Sequence, residues 1–136
     1  MTNYKQEFMR HLNIKGVKFC DEGESRLRII YSGENLQTIP LVVAFDDDGD
    51  GEVEFFCYQI ANIKTEKIPA ILFVCNELNC TYRWVKFFVD KDRDVICRAD
   101  AIIDFDTVGE ECLKIVLRAI RIVDEAYPKI MKAMWD

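Results

Sequence analysis

An α+β fold, one antiparallel sheet carrying an N-terminal, a central and a long C-terminal helix, is predicted by a hydrophobic period that changes along the chain. Three observations carry this prediction. Apolar residues recur at helical spacing at the start, middle and end of the sequence. Alternating or continuous apolar runs of strand length fill the intervals. Acidic or glycine-containing turns join those runs, which marks hairpins rather than helical crossovers.

Tyr4, Phe8 and Leu12 fall at i, i+4 and i+8 with Met9 beside them, one apolar stripe on a short amphipathic helix whose connection closes near Gly16. Leu27, Ile29 and Tyr31 alternate with Arg26 and Arg28, a half-buried strand, and the turn residues Ser32, Gly33, Glu34 and Asn35 follow. Residues 38–45 and 52–60 read as two further strands. Their nearly continuous apolar character predicts that both faces of this part of the sheet are covered, and Pro40 belongs at a strand start or an edge. In residues 66–79, Ile68, Ile71, Leu72, Cys75 and Leu78 form a helical face, with Pro69 in the first turn, where its missing donor is least costly. Residues 82–90 and 94–105 make a second hairpin around Lys91, Asp92 and Arg93.

The longest helix is predicted over residues 106–135. Thr107 followed by Glu110 matches a capping box, and Pro128 should kink or restart the helix near Tyr127. Lys114, Arg118, Arg121, Glu125, Lys129 and Lys132 make one narrow polar stripe. Ile115, Val116, Leu117, Ile120, Ile122, Val123, Ile130 and Met134 fill a wide apolar arc. An arc that wide needs cover beyond one sheet face, and a homodimer contact with Ile122 toward its edge is the expected cover. The N-terminal stripe is the intramolecular competitor.

At 136 residues, half of them apolar, the chain is predicted to form a single domain over residues 1–136. The formal charge of −6, with Lys and Arg spread along the sequence, disfavours nucleic acid and anionic membrane partners. The first residues lack the apolar core of a signal peptide, and no apolar run reaches the roughly 18 residues of a membrane span. A cytoplasmic location is therefore expected. Cys20, Cys57, Cys75, Cys80, Cys97 and Cys112 contain no C-x-x-C pair and mostly sit in apolar segments, so they are expected to be reduced packing residues rather than zinc ligands.

The stretch FDDDGDGEVEF poses the one question of chemistry. Asp46, Asp48 and Asp50 occupy positions one, three and five of a calcium loop, Gly51 the sixth and Val53 the apolar eighth. Position twelve, however, is Cys57 rather than a bidentate Glu, and the flanks are strands rather than helices. Asp90, Asp92 and Asp94 repeat the pattern between two other strands, so both stretches read as hairpin turns. His11 is the only histidine, without a nucleophile placed for it, and there is no phosphate-cradling glycine loop. Arg83 and Lys86 interleave with aromatics in a segment better suited to core and partner packing than to bases, and Glu77 has no partner as an acid–base pair. The sequence thus predicts no catalytic, cofactor-binding or metal-ligating residues, no cofactor, and no enzyme.

Residues 71–100, ILFVCNELNCTYRWVKFFVDKDRDVICRAD, resemble the YbjN family of bacterial sensory transduction regulators, as do VDEAYP at 123–128 and IPLVVAFDDDGD at 39–50. The resemblance covers most of the chain. It implies a type III secretion chaperone-like fold, often dimeric, and carries no catalytic residues over. The expected function is a non-catalytic protein-binding or regulatory module, with a protein partner or a homodimer. The alternatives are a secretion-chaperone-like binder of an unfolded partner segment and a calcium-responsive protein using the turn at 46–51.

Overall fold

The computed structural model describes residues 3–46 and 49–136. Helix α1 (Tyr4–Lys15) leads into strands β1 (Cys20–Asp21), β2 (Arg26–Tyr31), β3 (Ile39–Phe45) and β4 (Glu52–Asn62). Helix α2 (Ile68–Thr81), strands β5 (Lys86–Val89) and β6 (Asp94–Ile102), and helix α3 (Val108–Trp135) complete the chain. The strands form one antiparallel sheet in the order β1-β2-β3-β4-β6-β5. The fold is the α+β arrangement expected from the hydrophobic period.

Strand alternation sends Leu27, Ile29, Leu41, Val43, Val53 and Phe55 into the core beneath the helices. Val43 pairs with both Leu27 and Phe55, so one buried row runs across three strands. α3 lies over β3 and β4, and both α1 and α2 pack against it. Phe8 and Leu12 of α1 are fully buried, each contributing about 1.5–3 kcal/mol of transfer free energy. The opposite sheet face has its own small cluster of Val42, Phe56 and Ile96, shielded by neighbouring side chains rather than by a helix: Tyr58 stacks on Phe56 and the Arg98 guanidinium lies 5.1 Å from its ring centroid. The continuous apolar runs of β3 and β4 thus do serve two faces.

Both acidic stretches are hairpin turns. The Asp46 N–H donates to the Glu52 carbonyl at 3.0 Å, closing β3 onto β4. Gly51 adopts φ +80°, and its carbonyl accepts from the Ile103 N–H; a Cβ there would overlap the Ile103 oxygen. Asp48, the third proposed calcium position, lies outside the described residues. In the second turn the Asp90 carboxylate accepts from the N–H groups of Asp92 and Asp94, an Asx turn that joins β5 to β6.

Two expectations about helix ends and faces, at Thr107 and Ile122, are corrected, and of the two alternatives at Pro128 the restart is excluded. Thr107 forms no capping box: it ends a short 3-10 turn (Phe105–Thr107), and its hydroxyl donates to Glu111 rather than accepting from the backbone. The capping box of this chain is at α1, where Asn3 accepts from the Gln6 N–H and the Gln6 side chain accepts from the Asn3 N–H. α3 runs through Pro128 without restarting. Ile122 is not at the edge of the arc but in the core, 1 % exposed, because the sheet, α1 and α2 together cover most of that arc inside the chain.

Two contacts close the molecule. The N–H groups of Glu34, Asn35 and Leu36 donate to the Asp124 carboxylate at 3.0, 2.8 and 2.9 Å, pinning the β2–β3 loop to α3. Gly33 allows that approach, since a Cβ there would overlap Asp124 Oδ1. At the far edge of the sheet, the Asn79 side chain of α2 donates to the Phe87 carbonyl at 3.0 Å and accepts from the Phe87 N–H at 2.7 Å. One amide therefore occupies the outward donor and acceptor at the middle of edge strand β5.

Candidate protein-binding surface

The first two turns of α2 are apolar on every side, from Ile68 to Cys75. Ile71, Cys75 and Leu78 use one face in the core, and this leaves Leu72 50 % and Phe73 66 % exposed next to the exposed Pro69 and Ala70. A helix hydrophobic all round is normally covered on more than one side. On α2 two adjacent large apolar side chains are thus uncovered, whereas in the apolar arc of α3 Leu117, 48 % exposed, is the one that stays outside the core.

α2 ends at Thr81, where its last carbonyls need donors. The Lys86 ammonium supplies them, donating to the Asn79 and Tyr82 carbonyls at 3.0 and 3.2 Å. Trp84 then takes φ +78°, and its exposed indole lies 5.5 Å from the Arg118 guanidinium. The Lys129 ammonium stands 5.7 Å from the Tyr82 ring. Burial first, and then the hydrogen-bonded Glu125 carboxylate, raise the Tyr82 hydroxyl above its ordinary pKa, with Arg121 opposing. The segment 82–85 is thereby laid along the polar stripe of α3. Farther along, Val74, Leu78 and Ala133 floor a groove of about 390 Å³ between α2 and α3, with Glu77, Thr81, Lys129, Lys132 and Asp136 on its rim. The narrow polar stripe expected on α3 is thus an exposed face of that helix.

The other residues singled out in the sequence sit in structural positions. His11 packs against Gly109, where the absent side chain lets α1 approach α3. All six cysteines are free thiols; Cys57, Cys75, Cys97 and Cys112 are buried, whereas Cys20 and Cys80, contrary to the core-like placement expected, are exposed. Burial pushes the Cys57 thiol up to about 12 and raises Cys75, Cys97 and Cys112 as well, which suppresses the nucleophilic thiolate. Among the described residues no group of three His, Cys, Asp or Glu side chains could hold a metal ion, and no helix is long and apolar enough to cross a membrane.

The sequence profile described as "Putative bacterial sensory transduction regulator" matches residues 6–131. The chain belongs to the YbjN family. Its structure is similar to one reported as "Crystal structure of YbjN, a putative transcription regulator from E. coli", with a TM-score of 0.61, 12 % identity and 89 % of each chain covered. It is also similar to a chain of the heterodimeric ExoU-SpcU complex from the type III secretion system of Pseudomonas aeruginosa, with a TM-score of 0.56 and 14 % identity, covering 93 % of this chain and 96 % of that one. At such identities the likeness establishes the fold, which is type III secretion chaperone-like. No curated protein matches the chain.

Proposed function

We propose that this YbjN-family chain is a non-catalytic, cytoplasmic protein-binding module, acting as one domain over residues 1–136 and pairing with a second copy through the outer face of α2. The observation that carries the reading is the uncovered apolar surface at Leu72 and Phe73. A two-fold pairing of α2 with its copy would bury that surface on both molecules at once. The cationic stripe of α3 is unsuited to the same role, because a two-fold contact there would set Arg118, Arg121, Lys129 and Lys132 against themselves.

Sedimentation velocity across a concentration range tests the pairing. The native protein is expected to be dimeric, and Phe73→Glu to be a folded monomer whose melting temperature no longer depends on protein concentration, since an exposed substitution moves the stability of the fold itself by no more than about 0.5 kcal/mol. Ile122→Glu is expected to unfold the chain instead, because an unpaired carboxylate in the core costs more than about 3 kcal/mol. A native protein that stays monomeric at high concentration, or a dimer that survives Phe73→Glu, overturns the assignment. A second reading, a secretion-chaperone-like holder of an unfolded segment, draws support from the likeness to a chain of the ExoU-SpcU heterodimer. It predicts that a protease-sensitive partner co-purifies with the native protein.

A further inference from the structure

The exposed charged residues of α3 from Lys114 to Lys132 are Lys114, Arg118, Arg121, Glu125, Lys129 and Lys132, five cations and one carboxylate, in a chain of formal charge −6. None of these five cations is ion-paired among the described residues; what sets them apart is that they share one helix face. Arg118 and Lys129 lie over Trp84 and Tyr82 instead, and Glu125 is engaged by the Tyr82 hydroxyl. Like charges three and four residues apart, as at Lys114/Arg118, Arg118/Arg121 and Lys129/Lys132, cost a few tenths of a kcal/mol each on a helix. Acidic side chains are in excess over the whole chain, yet they leave this face unneutralised.

We propose that this stripe and the adjoining α2–α3 groove receive an acidic, extended segment of a partner protein. Its carboxylates meet Arg118, Arg121, Lys129 and Lys132, and an apolar side chain enters the groove over Val74, Leu78 and Ala133. The inference rests on the protein-binding reading and uses a surface that adjoins the α2 face, its groove being floored in part by Val74 and Leu78 of α2. The span fits: at about 1.5 Å per helical residue, Arg118 to Lys132 covers about 21 Å, the reach of some six or seven extended residues. A polypeptide suits the site better than a nucleic acid. Cations already cover one face of each ring, which leaves Trp84 and Tyr82 poor platforms for stacked bases, while the apolar floor of the groove matches a side chain rather than a phosphate backbone.

Fluorescence anisotropy tests this with a fluorescein-labelled peptide of about twelve residues, long enough to span the stripe, in which Glu and Asp alternate with Leu and Phe. A Gln/Asn version and a single-stranded oligonucleotide of equal charge are the comparisons. The acidic peptide is expected to bind the native protein, more weakly as salt rises. The pair Lys129→Glu and Lys132→Glu should lower its affinity by at least about tenfold, and the milder Lys129→Gln and Lys132→Gln pair should act in the same direction on a protein whose circular dichroism melt is unchanged. Leu72→Glu, which also breaks the α2 face but lies farther round the helix from Val74 and Glu77 than Phe73 does, should leave peptide binding intact, so a failure of the α2 pairing and a failure of this site are read separately. Equal binding of the acidic and Gln/Asn peptides, insensitivity to both lysine pairs, or tighter binding of the oligonucleotide would each overturn the proposal.

Discussion

Three consecutive backbone N–H groups converge on the carboxylate of Asp124, so a loop that begins with a flexible turn sequence is held by a side chain 90 residues later. The amide of Leu36, followed by those of Asn35 and Glu34, favours the ionised form and holds the Asp124 carboxyl below the usual aspartate range. The sign of the linkage follows. A depressed folded pKa means that the contribution is fully present above the ordinary unfolded value of about 3.9, and is lost as pH falls through the lower folded value. Asp124→Asn should remove that acid-dependent component and, because an amide turns a donor toward the Glu34 N–H, destabilise the chain by about 1 kcal/mol, a modest figure because water reaches the loop. Chemical denaturation at neutral pH and near pH 3 checks both effects. Equal stability of the two proteins at neutral pH would show that the contact is ornamental.

At the scale of elements, the strands that flank Asp46–Gly51 close a hairpin, and position twelve of the would-be calcium loop, Cys57, is a buried thiol facing Cys97. Millimolar calcium is therefore expected to leave the melting temperature unchanged and to give no saturable heat in calorimetric titration. Micromolar binding abolished by Asp46→Ala would reverse that conclusion. Most elements were legible because their cause is local: the 3.6-residue stripe of Tyr4, Phe8 and Leu12, the alternation at Leu27, Ile29 and Tyr31, and the acidic turns each express a short-range periodicity or turn preference. The misreadings share a cause too. Thr107 and Asn3 both carry an N-cap signature, but only Asn3 has the extended backbone that aims its side chain at the third amide; Thr107, at the end of a 3-10 turn, does not. The burial of Ile122, the Asp124 clasp and the gathering of Arg118, Arg121 and Lys129 beside Tyr82 and Trp84 depend on partners far away in sequence. Periodicity shows that a helix has an apolar arc; it does not show how many neighbours share it. The excess apolar surface of α2, by contrast, has a local sequence signal, since Pro69, Ala70, Leu72 and Phe73 leave no polar side to its first turns.

For the whole molecule, the helices cover one face of the sheet and the exposed features fall on separate surfaces: an apolar face on α2, a cationic one on α3, and two acidic hairpin tips. On the two proposals made above, a copy of the chain and a charged partner would meet neighbouring but different parts of the molecule. The sheet's rim bears on a different property. β1 is only two residues long, so β5 is the edge at which a foreign strand would add, and Asn79 holds its central donor and acceptor. Asn79→Ala would vacate both groups. Held a fixed interval below its own melting temperature, that variant is expected to scatter light and sediment as large species while the native protein stays clear; identical clarity of the two would refute the role. The colloidal behaviour of this acidic chain would then depend less on its net charge than on whether one side-chain amide keeps the sheet from growing.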